Sequence, residues 1–134
     1  MVSAPSAQAE FEPGVIEVAA SLFDLARQGD HDMLARCLEA GAPVNLTNDK
    51  GDTLLMLAAY HCHEQAVATL LEHGADTDRA NDRGQTPLAA VVFHNDLAIV
   101  DRLLAAHADP RAGTRSALDM AVFFGRDDLA SRWS

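Results

Sequence analysis

The sequence predicts an all-α solenoid of about four stacked helix-turn-helix units joined by short hairpin-like turns, and three observations carry that prediction. The stretch 48–80 nearly repeats itself: Asn48-Asp49, Gly51, Thr53 and Leu55 return as Asn81-Asp82, Gly84, Thr86 and Leu88, and Leu70-Leu71 returns as Leu103-Leu104. Self-similarity at a period of about 33 residues marks a stacked repeat, because one unit of that size cannot bury its own apolar face. Between the turns, apolar residues recur at three and four residues, the spacing of a helix buried along one side. Each central unit also opens with turn chemistry, Asn48-Asp49-Lys50-Gly51 in one case, followed by a threonine suited to cap a helix.

Composition narrows the class further. At 134 residues the chain has the size of one domain. Its formal charge is −10, with nine arginines and a single lysine, Lys50. That balance opposes nucleic-acid binding, which draws on Lys and Arg neutralising phosphates. It favours a monomer that meets a basic or mixed protein surface. Cys37 and Cys62 lack CxxC spacing and make no disulfide scaffold, which fits a reduced, cytoplasmic setting. Residues 1–13 have neither the basic start nor the apolar run of a secretory signal. No apolar run reaches bilayer length, so no membrane association is expected. Arginine in place of lysine, together with abundant alanine, suggests a GC-rich bacterial source.

Residues 1–14 are small, polar and acidic, and read as a flexible arm that cannot bury enough apolar surface to offset ordering. The repeat domain occupies 15–134, with units at about 15–47, 48–80, 81–113 and 114–134. In the first unit Val15, Ile16, Ala19, Leu22, Phe23 and Ala26 form one helical stripe, and Met33, Leu34, Cys37 and Leu38 form the next. Gly41 ends that helix. In the second unit Thr53 caps a helix running to about His61, and a second helix follows from Glu64 to Glu72 with Val67, Leu70 and Leu71 facing inward. The third unit repeats this, with Pro87 at the first helical position and His107 where Gly41 and Gly74 stand, hence in a left-handed conformation. The fourth is shortened: Ser116-Ala117-Leu118 matches Thr86-Pro87-Leu88, and Leu129 and Trp133 lie on the inner stripe. The outer units act as caps, with Trp133 over the open end of the stack.

Gly84-Gln85-Thr86-Pro87-Leu88 and Leu70-Leu71-Glu72-His73-Gly74-Ala75-Asp76 carry a resemblance to the ankyrin repeat, which extends over about Leu22 to Trp133. The resemblance implies an ankyrin solenoid of about four repeats including two capping repeats. It also implies a non-enzymatic role in binding another protein through a concave groove, as inhibitor, immunity factor or stabiliser. In that family the end of the first helix and the preceding turn line the groove. Carried over, this places Tyr60, Phe93 and Phe123 in one row with His61, His94 and Phe124 beside it, and Arg27 at the corresponding place in the first unit. The turn tips add Asp49, Lys50 and Asp52 from the second unit, and Asp82, Arg83 and Gln85 from the third. Tyr60 and Phe93 fall outside the apolar stripe and are expected to be exposed, whereas Phe124 is as well read as packed between helices.

No catalytic constellation is legible: there is no glycine-rich phosphate loop, no Gly-x-Ser-x-Gly elbow and no HExxH. No cofactor or metal is expected. The nearest approach to a metal site is His61-Cys62-His63, which supports a metal-binding alternative, but no further ligand pair faces it by sequence. His63 also occupies a family position where histidine is usual. A second alternative is self-association through Val15-Ile16 and Val18 or through the Trp133 end. A third, mimicry of nucleic acid, rests on the −10 charge alone.

Overall fold

The computed structural model describes residues 13–133, with side chains from Ala19 onward. The arm read over residues 1–14 therefore lies almost wholly outside the described residues, as does its Phe11. The described residues form eight helices in pairs: α1 (Pro13–Gln28) with α2 (His31–Glu39), α3 (Leu54–Tyr60) with α4 (Glu64–Glu72), α5 (Pro87–His94) with α6 (Leu97–Ala105), and α7 (Ala117–Phe123) with α8 (Asp127–Trp133). Helix α1 begins at Pro13, two residues before the expected Val15, because proline is tolerated in a helix's first turn where its missing amide has no partner to lose. The first helices α1, α3, α5 and α7 pack in series, and α2, α4 and α6 form a second layer beside them.

Side-chain caps start most of these helices. Thr53 accepts from the Met56 amide at 3.0 Å, Thr86 from Ala89 at 3.3 Å, and Ser116 from Asp119 at 3.1 Å. Each bond satisfies one amide of the first turn that has no intrahelical partner. Pro87 sits at the helix start as expected. Between the two helices of each unit the chain turns through positive φ, at Gly29, Cys62, Asn95 and Gly125, and after the second helix at Gly41, Gly74 and His107. His107 does hold φ +72° without being glycine.

The core is continuous through the stack. In α3 the six residues Leu54–Ala59 are all buried, and in α5 Pro87–Val92 are all buried, because each helix is enclosed by its own partner and by a first-layer neighbour on either side. In the second layer only one face is covered. There Val67, Leu70, Ile99, Val100 and Leu103 are fully buried. Leu71, expected inside, is only half-buried, since α4 turns Ala66, Val67, Thr69 and Leu70 inward and leaves the next residue at the margin. Met33 likewise leaves the expected stripe and is 40 % exposed, the inner face of α2 being Leu34 and Leu38 with Cys37 partly covered. Trp133 is buried beside Leu129, and Arg111 donates to its carbonyl at 3.2 Å, so its ring is not an exposed self-association surface.

Hairpin-like turns tie the units together. Where the first unit meets the second, Thr47 and Thr53 form an isolated antiparallel bridge, and the Asn48 amide donates to Asp52 O at 3.0 Å. The next unit repeats this, Asn81 N–H to Gln85 O at 2.9 Å. Across units the Asp82 amide donates to Lys50 O at 3.0 Å and the Arg115 amide to Gly84 O at 2.9 Å. A second rung recurs one period apart on the other side of the stack, Asp76 N–H to the Asn45 side chain and Asp109 N–H to the Asp78 side chain, both 2.8 Å. Among the described residues no helix is long and apolar enough to cross a membrane.

Candidate interaction site

The buried runs of α3 and α5 end abruptly in exposed rings. After Ala59 comes Tyr60, 45 % exposed; after Val92 comes Phe93, 56 % exposed; and α7 closes with Phe123, 78 % exposed. Side chains at a helix end that has passed beyond its neighbours project outward, which is why an all-apolar helix can finish on the surface. These rings do not stand apart. Tyr60 meets His61 at 5.2 Å between centroids and His94 at 4.9 Å; His94 meets Phe93 at 5.1 Å; Phe93 meets Phe124 at 5.3 Å; and Phe124 meets Phe123 at 5.0 Å. Every one of these contacts is edge-on, the arrangement aromatic quadrupoles favour. The result is one aromatic ribbon crossing three repeats, with Phe124 part of it and 41 % exposed rather than enclosed between helices.

Beside the ribbon's Tyr60 end lies a cleft of about 520 Å³. It brings together Arg27 at the end of α1, Tyr60 and His61 at the end of α3, and the turn residues Asp49, Lys50, Asp52, Arg83 and Gln85. Phe93, His94 and Phe123 lie outside it, along the ribbon. Asp82 lies outside the lining, its carboxylate packed where a side chain on Gly51 would stand.

Asp52 departs from expectation. Expected at the turn tip, it is instead buried at 7 % exposure, and its carboxylate accepts from the Asn81 side-chain amide at 2.8 Å. The hairpin alternates its side chains across the two faces of the turn, and Asp52 points back into the joint between units. Asn48 and Asn81, the repeated asparagines that open each turn, organise this joint. The Asn48 side-chain Oδ1 accepts from the Lys50 and Asp52 amides, and that of Asn81 from the Arg83 and Gln85 amides. Their spacing of one period, and asparagine's habit of bonding the backbone two residues on, were the available signals.

Within His61-Cys62-His63 the two imidazoles stack with centroids 6.3 Å apart, and His63 donates its Nε2–H to the Arg27 main-chain carbonyl at 2.7 Å. Burial, with the Asp96 carboxylate adding to it, pushes the Cys62 thiol above its ordinary range, so it keeps its proton. His61 stays exposed on the ribbon, held below the usual imidazole value by burial first and then by the positive fields of His63, Arg27 and His94. Among the described residues no group of three or more His, Cys, Asp or Glu side chains is placed to hold a metal ion.

A pairwise helical stack, tied by hairpin tips and presenting one continuous face of helix ends and turns, defines the class: an all-α repeat solenoid of the kind that serves as a binding scaffold. Residues 22–114 match the family model described as ankyrin repeats in three copies, and the chain belongs to the ankyrin repeat family. Over 62 residues it is 48 % identical to a protein of the bacterium Pseudomonas aeruginosa that is named as an ankyrin repeat protein. That match covers 46 % of this chain and 36 % of the relative, so the chain accounts for little more than a third of the relative's length. Ankyrin repeats are non-enzymatic modules of protein–protein interaction.

Proposed function

We propose that this chain is itself such a module, not an enzyme, acting in the cytoplasm as a monomer that holds a partner protein along the ribbon and cleft to inhibit or stabilise it. The observation that carries the reading is the unbroken run of exposed rings from His61 to Phe123. Exposed aromatic rings beside charged residues are the usual anchors of protein interfaces, because each covers much area at little conformational cost. Rings that touch edge-on are already restrained before a partner arrives, which lowers the entropy lost on binding.

The test is a capture experiment from bacterial lysate, comparing the wild-type chain with a Tyr60→Ala/Phe93→Ala variant of equal stability. A protein held by the first and lost by the second is the expected result. Retention by both moves the interface off the ribbon, and light scattering that shows a dimer would replace the monomer with a self-associating subunit.

A further inference from the structure

The charge of the cleft runs against the charge of the chain. Asp and Glu outnumber Lys and Arg by 20 to 10 overall. Of those ten cations Arg27, Lys50 and Arg83 line the cleft, against only two carboxylates, Asp49 and Asp52. One of the two is spent: Asp52 is buried and bonded to the Asn81 amide. Arg27 has a partner in Asp24 at 2.9 Å, but that pair is exposed at both members and leaves most of the guanidinium field in place. Lys50 and Arg83 have no ion-pair partner among the described residues. His61 lines the same cleft, and its ring contact with Tyr60 joins the cleft to the apolar stretch of the ribbon.

From this juxtaposition we infer that the partner docks by an acidic segment, with Asp or Glu side chains seated in the cleft between Arg27, Lys50 and Arg83 and neighbouring apolar residues laid along Tyr60, Phe93 and Phe124. This rests on the binding role proposed above and names the chemistry of the partner at that site. A carboxylate in the cleft meets cations presented from three successive repeats, so recognition requires the stack to be assembled. It also settles how a chain of charge −10 selects its partner. The long-range field slows acidic proteins as a whole, so the favoured partner is a mixed surface with a local acidic stretch.

A random peptide display library, selected on wild type, on Lys50→Glu/Arg83→Glu and on Tyr60→Ala/Phe93→Ala, tests the inference. Both charge changes fall on exposed tips that bond, among the described residues, only through main-chain atoms, so the fold is retained, and matching melting curves verify it. Wild type is expected to enrich Asp and Glu beside aromatic or aliphatic residues. The charge-reversed variant is expected to lose those peptides by about tenfold or more in affinity and to turn toward Lys and Arg. Selection without acidic bias, selection unchanged by the charge reversal, or selection of nothing overturns the acidic segment. If the peptides lack acidic bias yet vanish with Tyr60→Ala/Phe93→Ala, the binding face stands and only its charge preference falls. Peptides retained equally by that aromatic variant refute the binding face itself.

Discussion

His63 reaches back one repeat to Arg27: its Nε2 donates to the Arg27 main-chain carbonyl at 2.7 Å, where α1 is ending. The equivalent positions one period away, Asp30 and Asp96, cap their own helices by accepting from Met33 and Ile99. His63 makes no such cap and instead satisfies a carbonyl that the end of the preceding first helix would leave without a partner. One imidazole thus fastens two units.

His63→Ala is expected to cost about 0.5–1.5 kcal/mol, the net worth of one hydrogen bond. His61→Ala, at an exposed neighbour, is expected to stay within about 0.5 kcal/mol. Urea denaturation of both variants checks the contrast, and equal losses would place the two rings in the same role.

Gly84 and Gly41 both hold positive φ, +79° and +103°, but only one has neighbours. A side chain at Gly84 would run into the Thr114 hydroxyl beside the bond from Arg115 to Gly84 O, whereas nothing lies within 4 Å at Gly41. Both alanine variants carry conformational strain of about 1–3 kcal/mol. Gly84→Ala is expected to add a packing cost of about 1 kcal/mol or more, because the joint between third and fourth units must open. Thermal melts that rank Gly41→Ala as the more damaging would refute this.

In the second layer, Leu70 is fully buried and its neighbour Leu71 is not. Leu70→Ala is expected to lose about 2–5 kcal/mol through lost transfer energy and a residual cavity. Leu71→Ala should lose clearly less, and Phe123→Ala, on a ring 78 % exposed, about 0.5 kcal/mol or less. Denaturant midpoints for the three variants give the order directly.

The pH dependence of folding carries the mark of His61. Burial and the charges of His63 on its own turn, Arg27 of α1 and His94 of α5 depress its proton affinity in the folded chain below the ordinary 6.5. The unfolded chain therefore takes up the proton first as the medium is acidified. The contribution of this group is fully present above pH 6.5 and is lost as pH falls from there through the lowered folded value. His61→Gln is expected to flatten that decline, which urea midpoints across the range report. An unchanged slope would assign it to other groups.

Much of this was legible because the repeat period converts one known position into several. Gly41 and Gly74 predict the left-handed His107, and Thr53 predicts the caps at Thr86 and Ser116. The exposure of Tyr60 and Phe93 followed from their place just past the apolar run. What the period did not reveal depends on how units meet. Whether His94 falls between Tyr60 and Phe93, closing the ribbon, is set by the stacking distance of α3 and α5. Whether Leu71 or Leu70 is the inner leucine depends on a rotation of α4 of about 100°, one residue's turn, which two adjacent leucines cannot report.

Asp52 and Asp49 lie three positions apart on one turn, and they are expected to behave as opposites. The Asp52 carboxylate is buried and holds the Asn81 amide at 2.8 Å, while Asn81 in turn anchors the Arg83 and Gln85 amides. Removing the carboxylate leaves a buried amide without its acceptor, and bonds to charged groups contribute about 1.5–3 kcal/mol each. Asp52→Ala is therefore expected to destabilise by about that amount, and to loosen the third unit's turn as well as the second's. Asp52→Asn keeps an acceptor oxygen in place and should recover roughly half of the loss. Asp49 is exposed, so Asp49→Ala should leave stability within about 0.5 kcal/mol. Hydrogen exchange at Arg83 and Gln85 separates this account from a general loss of stability. Faster exchange at those two amides in Asp52→Ala alone is expected, and uniform acceleration across the chain would contradict a local joint.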